Sequence, residues 1–249
     1  KTVTKGLLKR AKKRKLIEFN VEEIFQELDT SESDFRKIIK EDYEEVFDEE
    51  EMPKVIEYLI KHLDMQNIAI LLMFVTGSRI GEVVALRHSD FEENTFKIRR
   101  TETRFRQDGE YVYAIKEFPK SQAGVRTAII PREYEWLAHE IKILNPFSEY
   151  IFVKNGNRIH TNSVRMRLRR ICDKLQIFQK SPHKIRKTYG SILLDNLIDN
   201  QLIIGQMMHT CILCTENHYH RNRKGINRKS EIISSIPEFR SVPSIRKIN

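Results

Sequence analysis

Eight consecutive apolar residues, Ile68-Ala69-Ile70-Leu71-Leu72-Met73-Phe74-Val75, set the terms for the rest of this chain. A run of that length is far below the roughly 18 residues needed to span a bilayer, so it reads as a helix buried in the centre of a packed domain. Upstream, Val55, Ile56, Leu59, Ile60 and Leu63 recur at helical spacing and supply a second helix to pack on it. The apolar helix ends at Thr76-Gly77, a glycine stop signal, and Arg79 follows at once, ahead of Gly81-Glu82-Val83-Val84-Ala85-Leu86-Arg87. An arginine on a turn between two buried helices is held rigidly. Read alone, it is equally a partner for Glu82.

With 249 residues, 40% hydrophobic and 32% charged, the chain suffices for one sizeable core and a small appendage, which argues against a disordered or membrane-embedded class. Its basic opening has no apolar stretch behind it, so no secretory signal is visible and a cytoplasmic location is expected. A start on Lys1 instead of methionine suggests a fragment of a longer protein, with further N-terminal domains expected ahead of it. Cys172, Cys211 and Cys214 are too few for a disulfide framework and fit a reducing compartment. The net charge of +9 conceals an asymmetry: residues 1–20 carry eight Lys/Arg and one Glu, residues 21–52 carry fourteen acids and three bases, and residues 53–249 are left with +13. A basic body of that size points to a polyanion partner. The acidic stretch would repel a phosphate backbone, so it is expected to lie away from nucleic acid or to cover a basic surface.

The periodicities together predict a mainly α fold with a small antiparallel β-sheet. Residues 1–20 read as a basic helix and residues 21–50 as an acidic linker or insertion; residues 51–249 read as one domain ending in a tail helix over about 226–236. Strands are expected over 96–101, 111–115 and 126–130, with turns at Gln107-Asp108-Gly109 and Ser121-Gln122-Ala123-Gly124. Lys120 stands at the lip of the second turn, where a flexible ammonium can reach a neighbouring cleft. A helix over 161–175, capped by Thr161, carries Arg165, Arg167, Arg169 and Arg170 on more than one face, as expected of a nucleic-acid contact or a solvated cationic surface. Ser181-Pro182 is a helix start that puts His183 in the first turn and Arg186 about one turn later, and a helix N-terminus is disposed to bind an anion.

Transfer of a phosphodiester requires a nucleophile, cations for the charge on the nonbridging oxygens and a proton donor for the leaving 5′-oxygen. The chain offers each. Arg79 and Arg186 can clamp a phosphate with bidentate hydrogen bonds, and Lys120 can protonate the leaving oxygen. Tyr219 can attack, with His183 and His209 donating hydrogen bonds or accepting its proton; a phenol with an ordinary pKa of about 10 needs that help. The arginines supply the positive charge that a metal would otherwise bring, so no metal is expected.

The order Thr76-Gly77-Ser78-Arg79 through Arg87, then Lys120 on a turn, His183-x-x-Arg186, His209 and a tyrosine ten residues on resembles the tyrosine recombinase family, more narrowly integrases of phages and conjugative transposable elements. The resemblance covers roughly residues 50–235. It implies that Tyr219 cleaves one DNA strand to a 3′-phosphotyrosyl link, that strands exchange through a Holliday junction, that no cofactor is consumed, and that Arg79, Lys120, His183, Arg186 and His209 assist. One departure is Met207-Met208 where the family usually has Leu-Gly, so that Met208 is expected to shift His209 slightly. The resemblance further implies double-stranded DNA as partner, a monomer when free and a homotetramer on DNA, with the tail helix exchanged between protomers. Residues 1–20 then resemble the last helix of a core-binding domain, with Lys9 and Lys13 towards DNA. A type IB topoisomerase uses almost the same constellation. A different reading is a zinc-stabilised binding module built on His209, Cys211, Cys214, His218 and His220, although all five fall within twelve residues where structural zinc sites bring two separated ligand pairs.

Overall fold

The computed structural model describes residues 2–27, 41–117, 125–207, 212, 215–216 and 220–235. The chain divides into two compact units, Lys1–Lys40 and Glu41–Asn249. In the first, helices α1 (Thr2–Lys13) and α2 (Val21–Glu27) pack on each other. Lys5 and Lys9 both pair with Glu22, and together they lower its carboxyl pKa to about 2. Lys9, expected to face DNA, is therefore engaged by an acid of its own unit, while Lys13 is exposed.

The second unit begins ten residues before the boundary expected at 50/51. Its first helix, α3 (Asp42–Glu45), leads into Val46 and Phe47, which are fully buried. The Phe47 N–H donates to Thr188 Oγ1 at 2.8 Å, and Glu45 pairs with Lys184 and Lys187. This end of the acidic stretch thus neutralises lysines of the domain it was expected only to precede.

Helix α4 (Glu51–Lys61) presents Val55 and Leu59 to α5 (Met65–Thr76), whose residues from Asn67 to Thr76 are all buried. Asp64 caps α5 by accepting from Asn67 N–H at 2.9 Å. Burial on every side is possible because α4, α7 (Glu135–Ile143), α8 (Thr161–Lys174) and α9 (Pro182–Asp195) surround α5. Each Leu, Ile or Phe so enclosed contributes about 1.5–3 kcal/mol of transfer free energy. Gly77 ends α5 in the left-handed region (φ 63°), its N–H donating to Met73 O at 2.9 Å. A Cβ there would lie well inside contact distance of the Tyr189 ring. Gly77→Ala combines the left-handed penalty with overpacking, so a loss of about 2–5 kcal/mol is expected, read as a lowered urea midpoint at unchanged slope.

After the short α6 (Ile80–Val83), the β region forms two sheets where one was expected. Strands β1 (Phe91–Glu92), β2 (Thr95–Ile98) and β5 (Arg126–Ile129) make an antiparallel sheet in the order β1-β2-β5. Among the described residues strands β3 (Arg100–Gln107) and β4 (Glu110–Glu117) pair only with each other, across an Asp108-Gly109 turn with both φ positive. From residue 104 outward β3 is exposed, so the hairpin has no hydrophobic face to add to the first sheet. A third ribbon joins β6 (Val153–Lys154) to β7 (Asn157–Arg158).

Helix α8 starts at Thr161 as expected, but its cap is the Glu102 carboxylate, which accepts from Thr161 N–H at 2.7 Å. Helix α9 starts at Pro182 behind Ser181. Helix α10 (Asn200–Met207) and the tail helix α11 (Ile226–Ser234) complete the described elements. Among the described residues no helix is long and apolar enough to cross a membrane.

Candidate active site

Arg79 is the N-cap of α6, placed there because Gly77 turns the chain sharply out of α5. Its backbone N–H donates to Glu82 Oε2 at 2.8 Å and its Nη1 to Oε1 at 2.9 Å. Arg126 donates to the same carboxylate, Nη1 to Oε1 at 3.1 Å and Nη2 to Oε2 at 2.8 Å. Burial alone would raise the Glu82 pKa, but Arg126 and Arg79 hold it below the usual carboxylate range, so it stays ionised. Arg79 therefore pairs with Glu82 while its side chain is still 41% exposed at the cleft.

Arg186 lies one turn into α9 and is only 1% exposed. Its Nη1 donates to Gly77 O at 2.7 Å and its Nη2 to Met207 O. One guanidinium thus ties α9 to the ends of α5 and α10. Gln206 fastens the same end of α10 to β5, its Nε2 donating to Thr127 O at 3.2 Å and its Oε1 accepting from Ile129 N–H at 3.4 Å.

Arg79, His183 and Arg186 line one cleft of about 310 Å³, together with Gly81, Thr101, Arg104 and Arg165. That volume is at the small end of ligand clefts. Gly81 keeps α6 close to β3, since a Cβ there would meet Thr101 Oγ1 at 2.6 Å and Glu102 O at 2.7 Å. His183 has an outer edge in solvent, yet the cleft still lowers its pKa: partial removal from water is the first cause, and Lys187, Arg186 and Arg79 repel its proton as well. The imidazole is consequently neutral at pH 7 and offers one donor and one acceptor. The acid at the rim, Glu102, is consumed elsewhere, accepting from His160 Nδ1 at 2.9 Å, from Arg158 and from the first amide of α8. The cleft is left strongly cationic, as an anion site requires.

The residues expected to contact DNA separate by environment. Arg165 enters the cleft, and Arg169 and Arg170 are exposed on α8. Arg167 pairs with Asp64 and donates from Nε to Gln66 Oε1 at 2.9 Å, binding α8 to the start of α5. Lys120, His209 and Tyr219 lie outside the described residues, as do Cys211, Cys214 and His218 of the zinc alternative. His220, the remaining member of that set, has Nε2 3.1 Å from Asp195 Oδ1. Among the described residues no group of three His, Cys, Asp or Glu side chains could hold a metal. Cys172 is buried in the core, which pushes its thiol pKa up.

Sequence reasoning passed over Arg126 and Arg104. A signal for Arg126 was present: β5 alternates, with Arg126 and Ala128 inward and Thr127 and Ile129 outward, and an arginine on the inward phase demands a buried acid. Arg104 sits with its guanidinium 3.6 Å from the Tyr111 ring centroid, a cross-strand arrangement readable only once the β3–β4 register is known.

The Phage integrase family profile matches residues 45–225. A tyrosine recombinase XerC-like protein of Caldanaerobacter subterraneus subsp. tengcongensis is 26% identical over 196 residues, 70% of this chain and 50% of that protein. The chain therefore spans about half the length of that relative. Among solved structures, the Tn1549 transposon integrase in complex with a circular intermediate DNA superposes with a TM-score of 0.68 at 17% identity, over 92% of this chain and 76% of the other. The XerA recombinase superposes with a TM-score of 0.58 at 22% identity, over 76% and 64%. These likenesses confirm the mainly helical fold with small antiparallel sheets. With the profile covering most of the chain, it belongs to the phage integrase family of tyrosine recombinases.

Proposed function

We propose that this chain is the catalytic part of a site-specific integrase that cleaves and rejoins double-stranded DNA through Tyr219. The observation that carries the reading is the convergence of Arg79, from the start of α6, with His183 and Arg186, from the first turns of α9, on one cationic cleft. Arg79 and Arg186 hold the nonbridging oxygens of the scissile phosphate. The Tyr219 hydroxyl attacks phosphorus, a P–O bond to the phenol forms and the bond to the 5′-oxygen breaks. The phenolic proton passes to His183 or His209, and the Lys120 ammonium protonates the leaving oxygen. The phosphotyrosyl link conserves the energy of the broken bond, so the reverse attack by a 5′-hydroxyl of another strand rejoins DNA without ATP. Two such exchanges pass through a Holliday junction and integrate or excise a mobile element in the cytoplasm of a bacterial host. Lys13, Arg165, Arg169 and Arg170 serve the DNA backbone beyond the scissile phosphate.

The protein works as four copies on DNA and as a monomer when free. Helix α11 carries Ile232 and Ile233 with 38% and 55% of their surface exposed, and it docks in trans. An apolar groove of about 610 Å³ along α4, lined by Met52, Pro53, Ile56, Ile60 and Tyr134, has the character to receive it on a neighbour. Two labelled duplexes bearing a site selected from a random pool are expected to yield recombinant duplexes. DNA relaxation without any recombinant product would overturn the assignment in favour of a topoisomerase. Truncation after Lys224 and Ile56→Glu should each retain binding to one site while losing four-subunit complexes at least about 10-fold, as expected from losing a buried apolar anchor. A truncated chain that still assembles would remove the exchange of α11.

A further inference from the structure

Arg79 of the cleft shares a buried carboxylate with Arg126. Each oxygen of Glu82 accepts one hydrogen bond from Arg126 and one from Arg79, and the Glu82 side chain is 1% exposed. The Arg126 contact is a two-point fork, which fixes the carboxylate plane as a single bond cannot. Arg126 itself is immobilised: it sits at the inward phase of β5 with a side chain 5% exposed, and β5 is paired along its length with β2 and fastened to α10 by Gln206. Arg79, by contrast, is the half-exposed partner, anchored at its base and open to the cleft at its other side. The chain of constraint therefore runs from the sheet, through Arg126 and Glu82, to Arg79.

We propose that Arg126 is a positioning residue for strand cleavage: acting through Glu82, it sets the direction in which the Arg79 guanidinium meets the scissile phosphate. The inference deepens the recombinase reading and rests on it. Without the fork, Glu82 keeps its charge but can rotate, and Arg79 then follows Glu82 towards the vacated side and away from the phosphate. A displacement of about 1 Å at such a contact costs roughly 10²-fold in rate. Among the described residues Arg126 is not part of the cleft lining, so the loss should appear in the cleavage step and not in DNA affinity.

The test exploits charge. Replacing one nonbridging oxygen of the scissile phosphate with methyl gives a neutral methylphosphonate, which no longer needs a cationic clamp. Replacing the bridging 5′-oxygen with sulfur makes a leaving group that no longer needs a proton donor. Single-turnover cleavage by wild type, Arg126→Gln, Arg126→Lys and Arg79→Ala would be measured on nicked site duplexes of all three kinds, beside the dissociation constant for the intact site. Arg126→Gln is expected to cleave the phosphodiester roughly 10²-fold more slowly, with affinity within about 3-fold of wild type. On the methylphosphonate its deficit should shrink to within about 3-fold, in parallel with Arg79→Ala, while the bridging sulfur gives no relief. Arg126→Lys, which restores charge without the fork, should fall between.

Equal deficits on all three substrates would overturn the proposal in favour of a general structural role. Relief by the bridging sulfur alone would also overturn it, placing the effect on the proton donor. If Arg126→Gln fails to fold, Arg126→Lys carries the same comparison. A wild-type chain that forms no covalent adduct with any substrate would bring down the recombinase reading itself, an outcome distinct from an active wild type whose Arg126 variants lose rate without regard to charge.

Discussion

Arg186→Ala is expected to lower the stability of the domain by about 3–5 kcal/mol, a large part of the 5–15 kcal/mol that such a domain holds in total. The magnitude follows from two contributions. Gly77 O and Met207 O each lose a buried donor, at about 1–3 kcal/mol apiece, and the guanidinium leaves a cavity in a site that is only 1% exposed. Arg186→Lys keeps the charge, but one ammonium cannot span both carbonyls, so an intermediate loss is expected. Urea unfolding at constant slope reads both variants. The same substitution releases the end of α10 two residues ahead of His209, so Arg186→Lys, even where folded, should cleave DNA about 10²–10³-fold more slowly. A variant Arg186→Ala with an unshifted urea midpoint would show that the arginine does not pin the ends of α5 and α10.

Much of the fold was legible because it depends on local signals. The apolar run from Ile68 to Val75, its Gly77 stop and the Ser181-Pro182 start of α9 were each readable within a few residues, and they position Arg79, His183 and Arg186. Periodicity reports which side of an element is buried, not what it is buried against. That is why the partners were hidden: Arg126 meets Glu82 across 44 positions, Arg167 meets Asp64 across 103, and Glu102 caps α8 across 59. Charge misled in the acidic stretch for the same reason. Glu45 belongs to a run that looked like a linker, but with Lys184 and Lys187 opposite it, it is part of the packed domain. The division of the β region into a sheet and a separate hairpin depended on pairing register, which strand propensity does not carry.

The largest effect on activity is expected at Tyr219, because a phenylalanine there occupies nearly the same volume while lacking the only atom proposed to form the bond to phosphorus. Loss of a nucleophile removes the whole covalent route, so cleavage should drop by at least about 10³-fold, while site binding and folding remain those of wild type. In the proposed mechanism the arginines, His183 and Lys120 each lower a barrier that the others still partly lower. Tyr219 has no such backup.

The decisive measurement is denaturing gel electrophoresis of the chain incubated with a nicked, 3′-end-trapping site duplex. Wild type should give a protein–DNA band that survives denaturant and contains the Tyr219 peptide on digestion, and Tyr219→Phe should give none. A covalent band of undiminished yield from Tyr219→Phe would contradict the proposed chemistry.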